Sequence, residues 1–443
     1  MSGSVDFDVI VIGGGPAGST AAGFLSQQGA RVLVCERERF PRYHIGESLL
    51  SATLPILDLL GVMPEIERAG FIRKPGGTFV WGRQAQPWSF FFREDPGGHP
   101  HAYHVVRSQF DEILFRHAGA VGAELREGCQ VEGIAFDEIN RVSMRGPDGS
   151  RSQVTSRWLI DASGQNALLG RRDNLRKFNP FFKNLAVWGY FTEARRLEGE
   201  TEGNILSCAS KDGWFWFIPL HDGTTSVGAV IDAQRFGAAA RDGAEGLYRK
   251  LIAGSAEIGD RLAGAQLVSP VRVIRDYSYC SDRFYGPGYL LAGDAACFID
   301  PVFSTGVHLA CLAGFLAARS LGAILEGGEA EAALRSYDGR YRSAFERYLN
   351  FLYFFYDHHQ DPESYFWKAR KLLHGEAPLE AKEGFVRLMS GGADWLDDRE
   401  LADVLARRHE QMENATSRSR LAAIPGADLF RVSRTRVEID KSS

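Results

Sequence analysis

One short stretch of this 443-residue chain decides most of what it can fold into. Val9-Ile-Val-Ile12 is a continuous β-branched run, closed by Gly13-Gly-Gly15-Pro-Ala-Gly18 and followed by small residues from Ser19 to Gln28. Such a run reads as a strand buried on both faces of a parallel sheet. A parallel sheet needs a helical crossover to reach its next strand. Ser19 to Gln28 predicts that helix, Gly29 stops it, Arg31-Val-Leu-Val34 predicts the second strand, and Glu36 lies just past its end. In the G-x-G-x-x-G loop, Gly13 permits the tight turn, Gly15 lets backbone approach a pyrophosphate, and Gly18 lets helix and strand pack closely. The helix start adds free N–H groups and a positive dipole end. Glu36 stands where a carboxylate accepts from a ribose. These features predict a bound dinucleotide and leave FAD and NAD equally open.

Further along, Trp158-Leu-Ile-Asp161 ending in Ala-Ser-Gly164 predicts a buried strand, and Tyr289-Leu-Leu-Ala-Gly293 another. Arg107 to Gly122 reads as a helix. Phe79 to Phe92 alternates as strands do, and residues from about 185 to 235 predict antiparallel sheet. From about Thr305 to the end the pattern is helical, with a weakly patterned tail beyond about Ala423. The net charge of −5 offers no basic face for nucleic acid or an anionic membrane. Cys35, Cys129, Cys208, Cys280, Cys297 and Cys311 show neither CxxC spacing nor a disulfide framework, which fits free thiols in a reducing cytosol. No signal peptide is evident, and the long apolar stretch from Tyr289 to Leu325 is interrupted by Asp294, Asp300 and His308, so it is not expected to span a membrane. A cytoplasmic location follows as the expectation. His99, His101 and His104 lack a carboxylate or thiol at ligand spacing, so no metal is expected.

Leu291-Ala-Gly293-Asp294-Ala-Ala resembles the second FAD fingerprint of the hydroxylase-type flavoproteins. In that group the Asp accepts from the ribityl chain. Asp161-Ala-Ser-Gly164 resembles their middle fingerprint, and Arg107 in Arg-Ser-Gln-Phe-Asp111 stands where they carry an FAD-contacting Arg. Three more segments are similar to the flavin-dependent halogenases. Trp214-x-Trp216-x-Ile218-Pro219 matches their W-x-W-x-I-P motif. Lys74, ahead of Pro-Gly-Gly-Thr-Phe79, matches their lysine. Gly293 to Gly306, through Pro301-Val-Phe303-Ser304-Thr305-Gly306, tracks their flavin and halide loop. The match spans most of residues 7 to 370. Taken singly, two tryptophans on one strand face are ordinary core and an isolated lysine is ordinary surface; their joint occurrence behind the FAD fingerprints is what is specific.

The resemblance implies an α/β fold: a Rossmann-like FAD-binding domain with an inserted antiparallel sheet forming a substrate layer, and a helical C-terminal region. Residues 1–328 would form the FAD module, with segments at about 75–105 and 172–275 as the substrate layer, and 329–443 the helical region. It implies FAD at Gly13, Gly15, Ala17, Gly18, Glu36, Arg37, Ser48, Arg107, Asp161, Gly293, Asp294, Pro301 and Gly306, and a chloride or bromide ion at Thr305 and Gly306. Reduced FAD and O2 would give a flavin hydroperoxide, halide would convert it to hypohalous acid, and Lys74 would deliver the halogen. Trp214 and Trp216 would line the space between flavin and substrate, and Glu47, in His44-Ile-Gly46-Glu47-Ser48, would link the flavin and halide sites. Only one dinucleotide loop is present, so a separate reductase would supply reduced flavin. Tryptophan halogenases carry a Glu two residues before the loop Thr, and here that position is Phe303. The departure points to electron-rich phenols or pyrroles, often carrier-bound, with Phe303 and Phe79 at the substrate pocket. In the aromatic run from Tyr348 to Trp367, most residues read as a core helix and a few as candidate pocket wall. Two other readings stay open: an FAD-dependent aromatic monooxygenase, which needs neither Lys74 nor the tryptophans, and a non-catalytic FAD-binding protein.

Overall fold

The computed structural model describes residues 5–82, 86–95, 98–356, 365 and 381–395. Met1–Asp394 forms one compact unit and Trp395–Ser443 a second. The boundary expected between 328 and 329 falls inside the first unit, because the helix that follows it packs into the same body. The expected weak tail beyond Ala423, and Trp367, lie outside the described residues.

The fold is mixed α/β. The strand Phe7–Ile12, the helix Pro16–Gln27 and the strand Val32–Glu36 form the expected βαβ unit, with Ile12 opposite Cys35 in parallel register. On the other side of Phe7–Ile12 lies Arg151–Asp161, with Asp161 opposite Ile12, and then Tyr289–Leu291, with Leu291 opposite Asp161. Four strands thus end level, and the loops after residues 12, 36, 161 and 291 open on one edge. That carboxyl edge is where open parallel sheets bind ligands.

A second, nine-stranded sheet holds the residues expected as substrate layer. Its central strand, Arg176–Thr192, pairs antiparallel with Thr225–Asp232 and Arg272–Ser281. Gly213–Pro219 sits between Ile205–Ser210 and Thr225–Asp232. Period-two alternation divides this strand's side chains. Phe215 and Phe217 enter a core with Val187, Val227 and Tyr248, while Trp214, Trp216 and Ile218 face a cavity. Trp216 fits because its cross-strand neighbour is Gly228, where a Cβ would lie 2.1 Å from the indole ring.

Two helices close the unit. Thr305–Leu325 is long and apolar enough to cross a membrane, but most of it is buried against Pro16–Gln27. Ala330–Phe355 buries Leu334, Tyr337, Tyr341, Tyr348, Phe351 and Phe355, the three-and-four spacing of a core-facing stripe. Tyr337 donates to the Leu291 carbonyl at 2.6 Å, tying this helix to the cofactor edge. Asp394 is pinned by His308 (2.7 Å), Arg347 (2.9 Å) and Tyr348 (3.1 Å), all three donating to its carboxylate. Asp394→Ala would remove the buried carboxylate that these donors share. It is expected to cost about 3–5 kcal/mol of unfolding free energy, the range for breaking a buried ion pair, read as a lowered urea midpoint at unchanged m-value.

Candidate active site

A cavity of about 650 Å³ runs along the shared strand edge and is walled by both sheets. From the parallel sheet come Gly13, Gly15, Ala17, Glu36 and Arg37; from the other come Trp188, Trp214 and Trp216. Gly13 has φ +108°, and a Cβ there would lie 2.3 Å from the Ala162 carbonyl oxygen, so only glycine makes this turn. Glu36 is the last residue of its strand rather than just past it. Its carboxylate accepts from the backbone N–H of Gly14 at 2.8 Å and of Glu38 at 2.9 Å, which holds it open toward the cavity. Arg107 makes a two-point bond to Asp111 (2.7 and 3.0 Å) and donates to the carbonyls of Ile45 (2.7 Å) and Gly46 (3.2 Å). It thereby fixes the 45–48 segment on the cavity rim.

Several polar atoms there have no partner among the described residues. The hydroxyl of Ser48, a wall residue, is buried and unbonded. Asp294 also lines the wall; no hydrogen bond reaches its carboxylate, and burial raises its pKa to about 6. Orphan groups of this kind are costly unless a ligand satisfies them. With the glycine turn, they fit the pyrophosphate, ribose and ribityl hydroxyls of FAD. Pro301, Ser304 and Gly306 line the same wall. Thr305 begins the helix Thr305–Leu325, whose N-cap, Ser304, makes no side-chain cap. The Thr305 hydroxyl is buried and unbonded. Asp161 does not reach the cavity: its oxygens accept from Ser163 N (3.0 Å) and Leu169 N (2.7 Å), so it shapes the turn behind the wall. Gly18 and Gly293 are likewise buried behind that wall.

Glu47 lines the cavity with its carboxylate buried, and burial raises its pKa to about 6. Tyr190 donates to Oε1 at 2.5 Å and Ser226 to Oε2 at 3.4 Å. The Trp216 indole donates to Ser226 at 3.1 Å, and the Trp214 indole to the Tyr356 hydroxyl at 2.9 Å. Tyr356 in turn donates to Asp300 at 2.6 Å, one residue before Pro301. Both tryptophans are therefore held by bonds as well as by packing.

Lys74 ends the short strand Ile72–Lys74, which pairs with Ala102–His104. It is only 2% exposed, which is not what an isolated lysine leads one to expect. Its Nζ donates to the Leu49 carbonyl at 2.9 Å and lies 5.4 Å from the Phe92 ring centre. Among the described residues no carboxylate pairs with it, and burial lowers its pKa to about 7. Neighbouring His104 donates from Nε2 to the Gly203 carbonyl at 2.9 Å; burial, then the charge of Lys74, holds its pKa well below the usual value. The two regions share a backbone segment. Val105 donates to the Glu47 carbonyl (2.8 Å) and Leu49 donates to the Tyr103 carbonyl (3.0 Å), so residues 47–49 run extended. Glu47 and the lysine's anchor are two residues apart, roughly 7 Å of extended chain.

Phe303 stacks on Phe351 (5.2 Å) and meets Phe355 edge-on (5.0 Å), while Phe79 stacks on Trp88 (4.8 Å) and also meets Phe355 (5.1 Å). Both are buried in an aromatic cluster and neither lines the cavity. Tyr190 and Ser226 were not expected at the site: alternation in the 185–235 region could have suggested which strand residues share a face, but no local motif marks either. Asp300 lies inside the loop segment Gly293–Gly306 and Tyr356 inside the aromatic run from Tyr348, but neither was assigned a role of its own. Among the described residues no group of three or more His, Cys, Asp or Glu side chains is arranged to hold a metal ion, and His101 and His104 instead bond to protein groups.

Comparison with known proteins identifies the family. The family described as tryptophan halogenase matches residues 8–99 and 93–401. A tryptophan 2-halogenase of Chondromyces crocatus is 37% identical over 417 residues, covering 91% of this chain and 79% of that protein. A flavin-dependent halogenase of Armillaria mellea is 36% identical over 77% of this chain and 72% of its own length. Among solved structures, the myxobacterial chondrochloren halogenase CndH, an FAD-dependent enzyme, is similar with a TM-score of 0.77 and 40% identity, over 90% of this chain and 95% of that one.

Proposed function

This chain belongs to the flavin-dependent halogenases, and on that footing we propose that it halogenates an electron-rich phenol or pyrrole, free or carrier-bound, through Lys74. It is an FAD enzyme that takes an aromatic substrate and needs a separate flavin reductase. FAD, reduced elsewhere and reoxidised by O2 beside a chloride or bromide ion, supplies the hypohalous oxidant.

The chain's own residues do the rest. Backbone N–H groups of the Gly13–Gly18 turn and the start of Pro16–Gln27 hold the pyrophosphate; Glu36 and Arg37 hold the adenosine end, and Ser48, Arg107 and Asp294 the flavin end. The uncapped start of Thr305–Leu325, with the N–H groups of Thr305 and Gly306, suits the halide. Trp214 and Trp216 exclude water from the wall between cofactor and substrate. Asp161, Gly18 and Gly293 act by positioning.

The single observation that carries the reading is Lys74. A buried amine with no carboxylate partner among the described residues, held by the Leu49 carbonyl and lowered to about 7, is available in both ammonium and neutral forms near neutrality. It can hydrogen-bond the oxidant in one form and bind halogen in the other. An aromatic monooxygenase does not require such a group. The free, mostly buried cysteines and the buried Thr305–Leu325 helix support a cytosolic location.

Phe303 supports a phenol or pyrrole over tryptophan, because a buried phenyl ring in an aromatic cluster replaces the Glu thought to steer indole. One relative is nevertheless named for tryptophan, so free tryptophan is the rival. The test supplies a flavin reductase, NADH, O2 and chloride or bromide with free and carrier-bound phenolic and pyrrolic acids and with free tryptophan, read by mass spectrometry. A halogenated phenol or pyrrole is the expected product. Tryptophan chlorinated at a comparable rate would overturn the substrate class, and a hydroxylated product without halogen would overturn the chemistry.

A further inference from the structure

Halogenation driven by reduced flavin consumes acid. Reduced flavin, O2, chloride, one proton and an aromatic C–H become oxidised flavin, an aryl chloride and two waters. The proton must enter a cavity whose wall is largely apolar around the tryptophans. Of the buried groups on that wall, Glu47 alone begins a chain of hydroxyls that ends at solvent among the described residues.

The chain has a direction. Tyr190 carries one hydroxyl proton and donates it to Glu47 Oε1 at 2.5 Å. Its oxygen must then accept from Tyr43, whose hydroxyl lies 3.0 Å away. The Trp188 indole N–H, which can only donate, occupies a lone pair of the Tyr43 oxygen at 2.7 Å, so Tyr43 turns its own proton toward Tyr190. Tyr43 is 41% exposed, and its ring is covered by the Arg272 guanidinium at 3.9 Å. Every O–H along the line therefore points inward. The second line to Glu47, Trp216 to Ser226, stops at an indole N–H, which has no lone pair to accept a replacement proton.

We propose that Tyr43, Tyr190 and Glu47 form a proton relay that feeds the flavin cavity in each turnover. The relay rests on the reading of Glu47 as a residue of the flavin site. A proton leaving Glu47 for the cavity is replaced from Tyr190 as Tyr190 takes the proton of Tyr43 and Tyr43 takes one from a hydronium ion, which is left as neutral water. No bond other than O–H forms or breaks, and the charge arriving equals the charge spent. Glu47 is suited to the inner end, since burial brings it to about 6, with Tyr190, Arg107 and Ser226 opposing that rise. The titratable and charged groups around the line are Arg107, Tyr43, Tyr190 and Arg272, with His44 beyond Arg107. Tyr190 itself stays protonated, held far above the usual tyrosine range by burial and then by Glu47.

The test uses the FAD-loaded protein with no halide, reductant or substrate. A rapid drop from pH 8 to pH 5 is followed in the infrared at the carboxylic-acid C=O band, assigned by its loss in Glu47→Gln. Tyr190→Phe and Tyr43→Phe keep the rings and remove the hydroxyls. Each is expected to slow protonation of Glu47 by about tenfold or more, short of the 10²–10⁴-fold of a direct general acid. Under turnover each should lower kcat with substrate KM unchanged, and enlarge the solvent isotope effect. Unchanged protonation rates in both variants would overturn the relay, as would a Glu47 band that never appears at pH 5. Neither outcome depends on which aromatic substrate is halogenated, so failure of the relay and failure of the function reading are separable.

Discussion

Lys74→Met is expected to lose halogenated product by roughly 10²–10⁴-fold, the range for removing a group that acts directly on the reacting species, while FAD binding and reoxidation of reduced flavin continue. The basis is positional. Lys74 lies outside the flavin cavity wall, and among the described residues its hydrogen bond is to the Leu49 carbonyl. Removing it should leave the glycine turn, Glu36 and Asp294 undisturbed. Lys74→Arg should not rescue, because a guanidinium has no neutral form near pH 7 and its fork does not fit a single carbonyl.

The same substitution has a second readout that a surface lysine would not produce. The amine titrates near 7 in the folded chain and 10.5 in the unfolded one. Between these values the unfolded chain holds more protons, so this lysine's contribution to stability rises with pH, and below about 7 its cost is complete. Lys74→Met is therefore expected to be more stable than wild type at pH 6, by about 1–3 kcal/mol, the order of one buried polar group poorly satisfied. The gap should close toward pH 10. Product near the wild-type level, or a stability difference independent of pH, would return Lys74 to a structural role.

Gly13→Ala carries the other large effect. A Cβ at this position meets the Ala162 carbonyl oxygen at 2.3 Å, and φ is +108°. Strain of this kind costs about 1–3 kcal/mol, and the turn can relieve it only by moving away from the pyrophosphate. FAD affinity is expected to fall roughly 10–100-fold, at 1.4 kcal/mol per decade, measured by titrating apoprotein into FAD and following flavin fluorescence. Asp294→Ala serves as the companion because it leaves the turn intact and removes an unpartnered carboxylate from the wall. Loss of affinity in Gly13→Ala with a normal circular dichroism spectrum, and a smaller loss in Asp294→Ala, is the expected pattern. Wild-type affinity in both variants would mean that the cofactor does not lie along this edge.

The cofactor edge was legible because its determinants are local. A turn that only glycine can make, a helix start, and a carboxylate at a strand end are each specified within a few residues; Gly13 and Glu36 line the cavity edge, Glu36 one position earlier than expected, as the last residue of its strand, while Asp294 was legible only through the resemblance. Lys74 was legible by motif only. Nothing in its own neighbourhood says that it is buried; burial comes from Leu49, 25 residues earlier, and from the strand Ala102–His104. Tyr190 is 143 residues from Glu47, and Tyr43 is 147 from Tyr190, so a network made across that span leaves no periodic trace. Phe303 could be read as a missing carboxylate, but its part in the Phe351–Phe355 stack depended on a helix whose aromatic run could be divided into core and pocket wall only in kind, not residue by residue. In that run Tyr348, Phe351 and Phe355 are core, whereas Tyr356 turns its hydroxyl to Trp214 and Asp300.

The extended segment at residues 47–49 works as a fixed spacer. Its length is set by covalent geometry and by the two backbone bonds that staple it to residues 103 and 105. The Leu49 carbonyl that anchors the Lys74 amine is thereby held at a fixed distance along the chain from the backbone of Glu47. The Phe79–Phe303–Phe355 cluster lies off this segment, so repacking it would leave the length of the spacer unchanged. A single-residue insertion between Glu47 and Leu49 would break the register of the two staples and carry the Leu49 carbonyl away from the Lys74 amine, so the segment is expected to tolerate substitution better than a change of length.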